Sequence, residues 1–200
     1  MGSPSLTLLW TALPLLAGSD LRFQQLRGTA EPLMGLGGFL ERYVGDCPAG
    51  GVPQCRSNAL TFRSKANGKR FFILVAEESS GVLSAGRFDA GRGEYELQLT
   101  PFFAAGPYAL THGAPKQMDS AGNPLLPLLI MRHKAPPDWD ASRLQRLIAG
   151  RELKVEVVFT PQDVWTLARK RGSVIRGVKS RIDALQVTNG RTGELIGSWP

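Results

Sequence analysis

The apolar residues of segment 20–46 recur at intervals of three and four positions. This spacing places them on one face of a helix, so the pattern predicts a helical lead-in. Pro32 divides the segment, because a proline lacks the N–H group that a helix interior requires. Thr29 is then the expected N-cap of the second part. The apolar positions are Leu21, Leu26, Leu33, Met34, Leu36, Phe39, Leu40, Tyr43 and Val44.

Farther along the chain the pattern becomes that of β-strands. Leu60 and Phe62 alternate with polar residues and predict a first strand, and Asn67-Gly68 is a strong signal for a hairpin turn. The apolar run RFFILVAE, residues 70–77, is typical of a central strand that is buried on both faces. Together these signals predict a hairpin whose second strand lies inside a sheet.

Alternation also predicts the later strands. A second hairpin is expected over residues 82–103, where Tyr95, Leu97 and Leu99 share one face of the returning strand. The clearest strand is ELKVEVVFTP, residues 152–161. The turn sequence TNGRTG then predicts that two further strands close the chain.

Segment 104–137 is rich in proline and glycine and shows no regular pattern. A long irregular segment in a compact domain is often functional, although it can also be flexible. Its apolar stretch LLPLLIM is broken by Pro127, which favours an edge strand. Residues 138–151 predict one short helix, with Asp140 able to cap it and Gly150 ending it.

These elements predict the fold class. The chain has 200 residues, of which 42% are hydrophobic, enough to bury a core. No internal repeat divides it, so residues 20–200 are expected to form a single domain. We predict a mostly β domain of the α+β class, either an antiparallel β-sandwich or a partly open barrel. It should have about six to eight strands, an N-terminal helix and one late short helix.

The first residues resemble a secretory signal in their pattern. Residues 6–16 are almost wholly apolar, a run too short to span a membrane but long enough for a signal core. Ala17 and Ser19 are small residues suited to signal peptidase, although no Lys or Arg precedes the run. A buried N-terminal helix is the alternative, which Pro14 weakens. We therefore predict a signal peptide at 1–19, a mature chain without a transmembrane segment, and a secreted or periplasmic location in a bacterial envelope.

The two cysteines, Cys47 and Cys55, stand in the segment GDCPAGGVPQCR. In an exported protein, cysteines this close usually form a disulfide. Free thiols are the alternative, and a redox centre would more often read C-x-x-C. We predict a Cys47–Cys55 bridge that closes an irregular surface loop.

The chain is basic, with a formal net charge of +7. Such a charge favours an anionic neighbour, although most of the basic residues are dispersed. They are densest near the predicted tip between two strands, and Trp165 lies close by in sequence. We predict this region as the ligand-binding site, while a solvated hairpin tip is the simpler interpretation. Its candidate residues are Trp165, Arg169, Lys170, Arg171 and Arg176.

Motifs of catalysis are sparse. The sequence contains no G-x-S-x-G, no H-E-x-x-H and no Walker loop. His112 is a weak candidate for a general base in a loop, with Asp119 as the nearest acid in sequence. His133, between Arg132 and Lys134, indicates a basic turn or an anion contact. A zinc site needs about four ligands, so we predict no metal and no cofactor.

Three functional hypotheses follow. The favoured one is a non-catalytic envelope module that binds a protein partner or an anionic envelope component. The second is a small hydrolase that uses His112. The third is an oligonucleotide or polyanion binder resembling an OB-fold, although export makes nucleic acid an unlikely partner. The sequence does not specify the oligomeric state.

Overall fold

The computed structural model describes residues 21–45, 53–75, 82–99, 103–105, 108–115, 117–118, 120, 124–125, 128–140, 142–168 and 174–200. The predicted signal peptide, Cys47 and the basic residues Arg169, Lys170 and Arg171 lie outside these ranges. The helices are α1 (Leu21–Gly28), α2 (Leu36–Val44), α3 (Pro53–Ala66) and α4 (Arg143–Ala149). The strands are β1 (Glu31–Pro32), β2 (Phe71–Val75), β3 (Leu83–Asp89), β4 (Glu94–Leu99), β5 (Phe103–Ala105), β6 (Tyr108–His112), β7 (Gln117–Met118), β8 (Pro124–Leu125), β9 (Leu129–Lys134), β10 (Leu153–Ala168), β11 (Val174–Asn189) and β12 (Leu195–Trp199).

Two long antiparallel strands, β10 and β11, form the centre of a seven-stranded sheet. Its order is β1-β2-β10-β11-β6-β5, and β12 also pairs with β11. The pairs β1/β2 and β6/β11 are parallel, and the others are antiparallel. A second sheet has the order β3-β4-β9, and β7 pairs with β8. The predicted mostly β class is therefore confirmed, and among the residues that the structure describes the large sheet does not close.

The main core lies between the two sheets. Leu97 and Met131 of the small sheet and Val157 and Leu185 of the large sheet belong to one buried apolar cluster. The hydroxyl of Tyr95 donates to the carbonyl of Ile196 over 2.5 Å, which links β4 to β12. Side chains of α2 and α4 complete the same cluster, so it is covered at its margins by helices.

The opposite face of the large sheet is covered by α1. Phe23 is 1% exposed and packs against Val158 and Ala184. Arg27 forms an ion pair with Glu156 over 3.2 Å beside this contact. Because both faces of the β10–β11 hairpin are covered, the alternation of buried and exposed residues is lost near Val158.

The predicted first strand is wrong, because that segment forms α3. The burial pattern explains the error: Ala59, Phe62 and Ala66 turn toward the protein at helical spacing, whereas Leu60 is exposed. Pro53 occupies the first helical position, where its missing N–H has no cost. Gly68 adopts φ +73 just after the helix, so Asn67-Gly68 ends α3 rather than turning a hairpin.

The helical lead-in divides near Pro32 as predicted, but Thr29 does not cap the second helix. Its hydroxyl donates to the carbonyl of Leu26 at the end of α1. The strand at Phe71–Val75 is also less central than predicted, since its outer neighbour β1 has two residues and Leu74 is exposed.

The later predictions agree better with the structure. The 82–103 hairpin is confirmed as β3 and β4, and the late helix as α4. The strand predicted at 152–161 is confirmed and continues to Ala168. The irregular segment, by contrast, contains β6, which pairs with β11 and includes His112, so that histidine is on a strand rather than in a loop.

A tight contact joins β6, β10 and β11. Trp165 pairs across the ladder with Gly177, and its indole N–H donates to the hydroxyl of Thr111 over 2.9 Å. A Cβ at position 177 would lie 2.3 Å from the Trp165 ring and 2.6 Å from the carbonyl oxygen of Ala109. The indole can therefore lie across this position only because it is glycine.

We expect Gly177→Ala to destabilise the protein by about 1–3 kcal/mol, the usual cost of overpacking. Urea unfolding measures this directly. Gly38→Ala is the matched control, since its Cβ would have no neighbour within 4 Å. A Gly177→Ala protein as stable as Gly38→Ala would contradict the contact.

Candidate functional site

A surface cavity of about 310 Å³ opens where α2, α3 and the β10–β11 hairpin meet. We call it the basic cavity, because three of its lining side chains are arginines. Its described lining residues are Val44, Gly45, Arg56, Arg63, Val164, Thr166 and Arg176.

Arg63 is fixed in place by the C-terminus of α2. Its Nε donates to the carbonyl of Tyr43 and its Nη2 to the carbonyl of Val44, each over 2.6 Å. The last carbonyls of a helix have no partner within the helix, so an arginine from another element can satisfy them. The guanidinium is thereby oriented without the use of a carboxylate.

Gly45 allows α3 to approach α2 closely enough for these bonds. It adopts φ +63, a conformation that favours glycine. A Cβ at this position would lie 2.2 Å from the Cβ of Ala59 on α3. The close approach brings Arg56 and Arg63, two turns apart on α3, to the same cavity.

Arg176 reaches the basic cavity from β11. It pairs with Thr166 across the ladder, and both side chains line the cavity. Arg176 was predicted from the sequence as part of the basic tip. The other basic residues of that prediction fall between the paired strand ends Ala168 and Val174, outside the described residues.

The described lining of the basic cavity carries three guanidinium groups and no carboxylate. Two acids lie nearby in the structure. Burial raises the pKa of Tyr108, and the charge of Glu41 raises it further. Burial also raises the pKa of Tyr43, with Arg63 lowering it and Asp163 raising it in part. Neither acid is among the described lining residues of the cavity, whose described wall is net positive.

A second cavity, of about 230 Å³, lies on the outer face of the small sheet and differs in charge. Its described wall balances three arginines against three carboxylates. Arg132 pairs with Glu96 over 3.0 Å, and Lys134 pairs with Glu94 over 3.1 Å. These pairs neutralise one another, so the basic cavity is the better candidate for an anion. The charged residues of the second wall are Arg87, Asp89, Arg92, Glu94, Glu96 and Arg132.

Trp165 lies on the other side of the large sheet. It is 7% exposed and packs with Ala109 and Ile175. Its neighbour Thr166 faces the basic cavity, and successive strand residues point to opposite faces. The Trp165 ring therefore does not offer a stacking surface beside Arg176, and its predicted role in ligand binding lacks support from this geometry.

His112 ends β6 in a half-buried position. Its Nδ1 has no hydrogen-bond partner among the described residues, and neither does the hydroxyl of its register neighbour Ser180. Ser180 is 1% exposed, which leaves it no access to a substrate. A general base needs an orienting group and an accessible target. Asp119, the acid considered with His112, lies outside the described residues.

Two further absences hold for the described part of the chain. It contains no group of three or more His, Cys, Asp and Glu residues placed to hold a metal. It also contains no helix that combines the length and apolar character needed to cross a membrane.

Cys55 is half-buried in the first turn of α3, one residue before Arg56. The bridge from Cys55 to Cys47 stays a prediction.

Arg56 and Arg63 were missed by the sequence reasoning. In a β-strand, two residues that are seven positions apart point to opposite faces, so the strand predicted for this segment gave Arg56 and Arg63 no common face. A helical assignment places Arg56, Leu60 and Arg63 on one side, since they are spaced by four and three residues. That spacing was the available signal, although it could not show that Arg176 lines the same cavity.

The chain belongs to a family of unknown function (DUF6066), whose model matches residues 4–200. No curated protein and no solved structure matches it.

His133 lies on β9, opposite Tyr95, rather than in the basic turn considered from the sequence. Burial lowers the pKa of His133 from its ordinary 6.5. The unfolded chain therefore binds more protons below pH 6.5, and the stabilising effect of the neutral ring is lost as the pH falls through that region.

We expect the melting temperature to fall between about pH 7.5 and 5.5, and to fall less in His133→Gln. Carboxylates remain mostly ionised in this interval, so their contribution is small. Calorimetry at both pH values measures the difference. Parallel pH profiles for the two proteins would contradict a neutral, partly buried His133.

Proposed function

We propose that the protein is an exported, non-catalytic component of a bacterial cell envelope that binds an anionic ligand in the basic cavity. The observation that carries this proposal is the convergence of Arg56, Arg63 and Arg176 on one cavity. Arg176 comes from the cluster in which the sequence predicts ligand binding. Arginine presents a planar fork of donors that matches phosphate and carboxylate groups.

The envelope location is supported by the sequence of the leader and by its cysteines. Residues 1–19 have the length and small-residue end of a secretory signal. An oxidising compartment favours the Cys47–Cys55 bridge. Since Cys55 directly precedes Arg56, a bridge there would also constrain the start of α3 beside the cavity.

A binding module explains the site better than an enzyme does. The basic cavity has charged donors but no histidine, serine or carboxylate among its described lining residues. His112, the candidate base, stands beside a buried serine rather than beside an accessible nucleophile. An oligonucleotide binder would need exposed aromatic rings near the arginines, and Trp165 is buried on the other face. The ligand is therefore an anionic envelope component or an acidic surface on a protein partner.

We expect the protein to bind pyrophosphate, a small anionic probe, with an affinity that falls as salt is raised. Arg56→Glu should weaken binding at least about tenfold, because a charge-assisted hydrogen bond is worth about 1.5–3 kcal/mol. Isothermal titration calorimetry at low and physiological salt measures both effects.

The matched control is Arg191→Glu, which makes the same charge change at the other end of the β10–β11 hairpin. It should alter the affinity by less than about twofold. Equal losses of affinity in the two variants would show that pyrophosphate binding depends only on the net charge of the protein. That result would contradict the basic cavity as the binding site.

Export has its own test in the native host. We expect the mature chain to begin after Gly18 or Ser19, and to react with an alkylating reagent only after reduction. Intact mass spectrometry of the envelope fraction reads both features. A full-length chain with two reactive thiols in the cytosol would refute the envelope assignment and leave the anion site to be judged by calorimetry.

A further inference from the structure

Two exposed aliphatic side chains lie on the elements that form the wall of the basic cavity. Leu60 is 62% exposed on α3, and Val174 is 45% exposed at the start of β11. Single exposed aliphatic residues are common and need no explanation. Here the relevant fact is that each lies on the same helix or strand as arginines that line the basic cavity.

The geometry of α3 puts Leu60 next to the charges. Arg56 precedes it by four residues and Arg63 follows it by three, so the three side chains share one side of the helix. The buried side of α3 carries Ala59 and Ala66 instead. Leu60 therefore rises from the guanidinium-bearing side into solvent.

On the other wall, β11 repeats this arrangement. Val174 precedes Arg176 by two residues, and residues two apart on a strand point to the same face. The intervening Ile175 points to the opposite face, where it packs with Trp165. Val174 and Arg176 therefore face the same side as the cavity, with the aliphatic residue nearer the tip.

The chemistry of the cavity and of its rim differs. Guanidinium forks match the oxygens of a phosphate group, and the Thr166 hydroxyl on the wall can add a hydrogen bond. Exposed Leu and Val gain nothing from a hydrated anion, but they gain from an apolar chain attached to it. The combination fits a ligand with a phosphate head and a hydrocarbon tail.

We propose that the basic cavity binds the phosphate of a phospholipid headgroup at a membrane surface, with Leu60 and Val174 in contact with the acyl region. This inference rests on the proposed function and names the ligand class of the same site. A cluster of cationic side chains near an anionic surface gains affinity from each charge, and aliphatic residues add the apolar term. A dissolved phosphate ester would use the arginines alone.

The experiment compares membrane-bound phosphate with free phosphate. Vesicles of phosphatidylglycerol mixed with phosphatidylcholine, and vesicles of phosphatidylcholine alone, are sedimented with the protein. Glycerol 3-phosphate, the soluble headgroup analogue, is titrated separately by calorimetry. We expect binding to the anionic vesicles, little to the zwitterionic ones, and weaker binding to glycerol 3-phosphate.

Two pairs of variants, each a test substitution with its matched control, separate the contribution of the arginines from that of the exposed aliphatic residues. Leu60→Gln should lower vesicle affinity about threefold or more and leave glycerol 3-phosphate binding unchanged. Leu74→Gln, at a residue that is 52% exposed on β2, should change neither. Arg56→Glu should weaken both ligands, whereas Arg191→Glu should affect vesicles only slightly. Circular dichroism confirms that each variant is folded.

The possible results distinguish a failure of the lipid inference from a failure of the proposed anion site. Glycerol 3-phosphate binding that depends on Arg56, without vesicle binding, would overturn the lipid inference and leave the anion site standing. So would equal vesicle affinities for Leu60→Gln and Leu74→Gln. If Arg56→Glu left the affinities for vesicles and for glycerol 3-phosphate unchanged, the proposed function would be overturned together with the inference.

Discussion

The pairing of β10 with β11 is the constraint on which the rest of the structure depends. Fifteen cross-strand pairs, from Leu153 with Asn189 to Ala168 with Val174, hold these strands together. β2 is added on one side of the hairpin, and β6 and β12 on the other. Its two faces receive α1 and the main core, respectively. A shift of one strand by one residue would move each of its side chains to the opposite face of the sheet.

The register also sets the position of the basic cavity. Thr166 pairs with Arg176, so one residue from each strand faces the same side. On the same ladder Trp165 pairs with Gly177 and faces away. The glycine admits the indole on that side, which ties β6 to the hairpin through Thr111. The tight packing on one face and the cavity on the other thus follow from adjacent pairs of a single ladder.

The sequence predicted best those elements whose own burial produces their pattern. Tyr95, Leu97 and Leu99 alternate because one face of β4 meets the core, and this strand was predicted correctly. α3 was mispredicted because its inward residues include small alanines, while the conspicuous Leu60 points outward. Periodicity analysis gives most weight to large apolar residues, so a helix that buries small residues is easily misassigned.

The residues of the basic cavity could likewise be predicted from the sequence only in part. Arg176 was found because basic residues cluster near it in the sequence. Arg56 and Arg63 reach the cavity only through the contact of α3 with α2, which depends on the glycine at position 45. Such a contact joins residues that are far apart in the chain. No local pattern reports it, so the sequence could name one wall of the cavity but not the other.

The way in which Arg63 is held has a consequence for binding. Many arginines of this protein are paired with carboxylates, as Arg132 is with Glu96 and Arg146 with Asp140, and such pairs are locally neutral. Arg63 is instead bonded to two backbone carbonyls, which carry only the partial negative charge of a helix end. Its side chain is ordered, and no carboxylate of the described residues forms an ion pair with it. An arginine that is fixed in this way has already lost the conformational entropy that an anion would otherwise have to remove. This is the physical reason to propose ligand binding at the basic cavity rather than at the more numerous charges elsewhere on the surface.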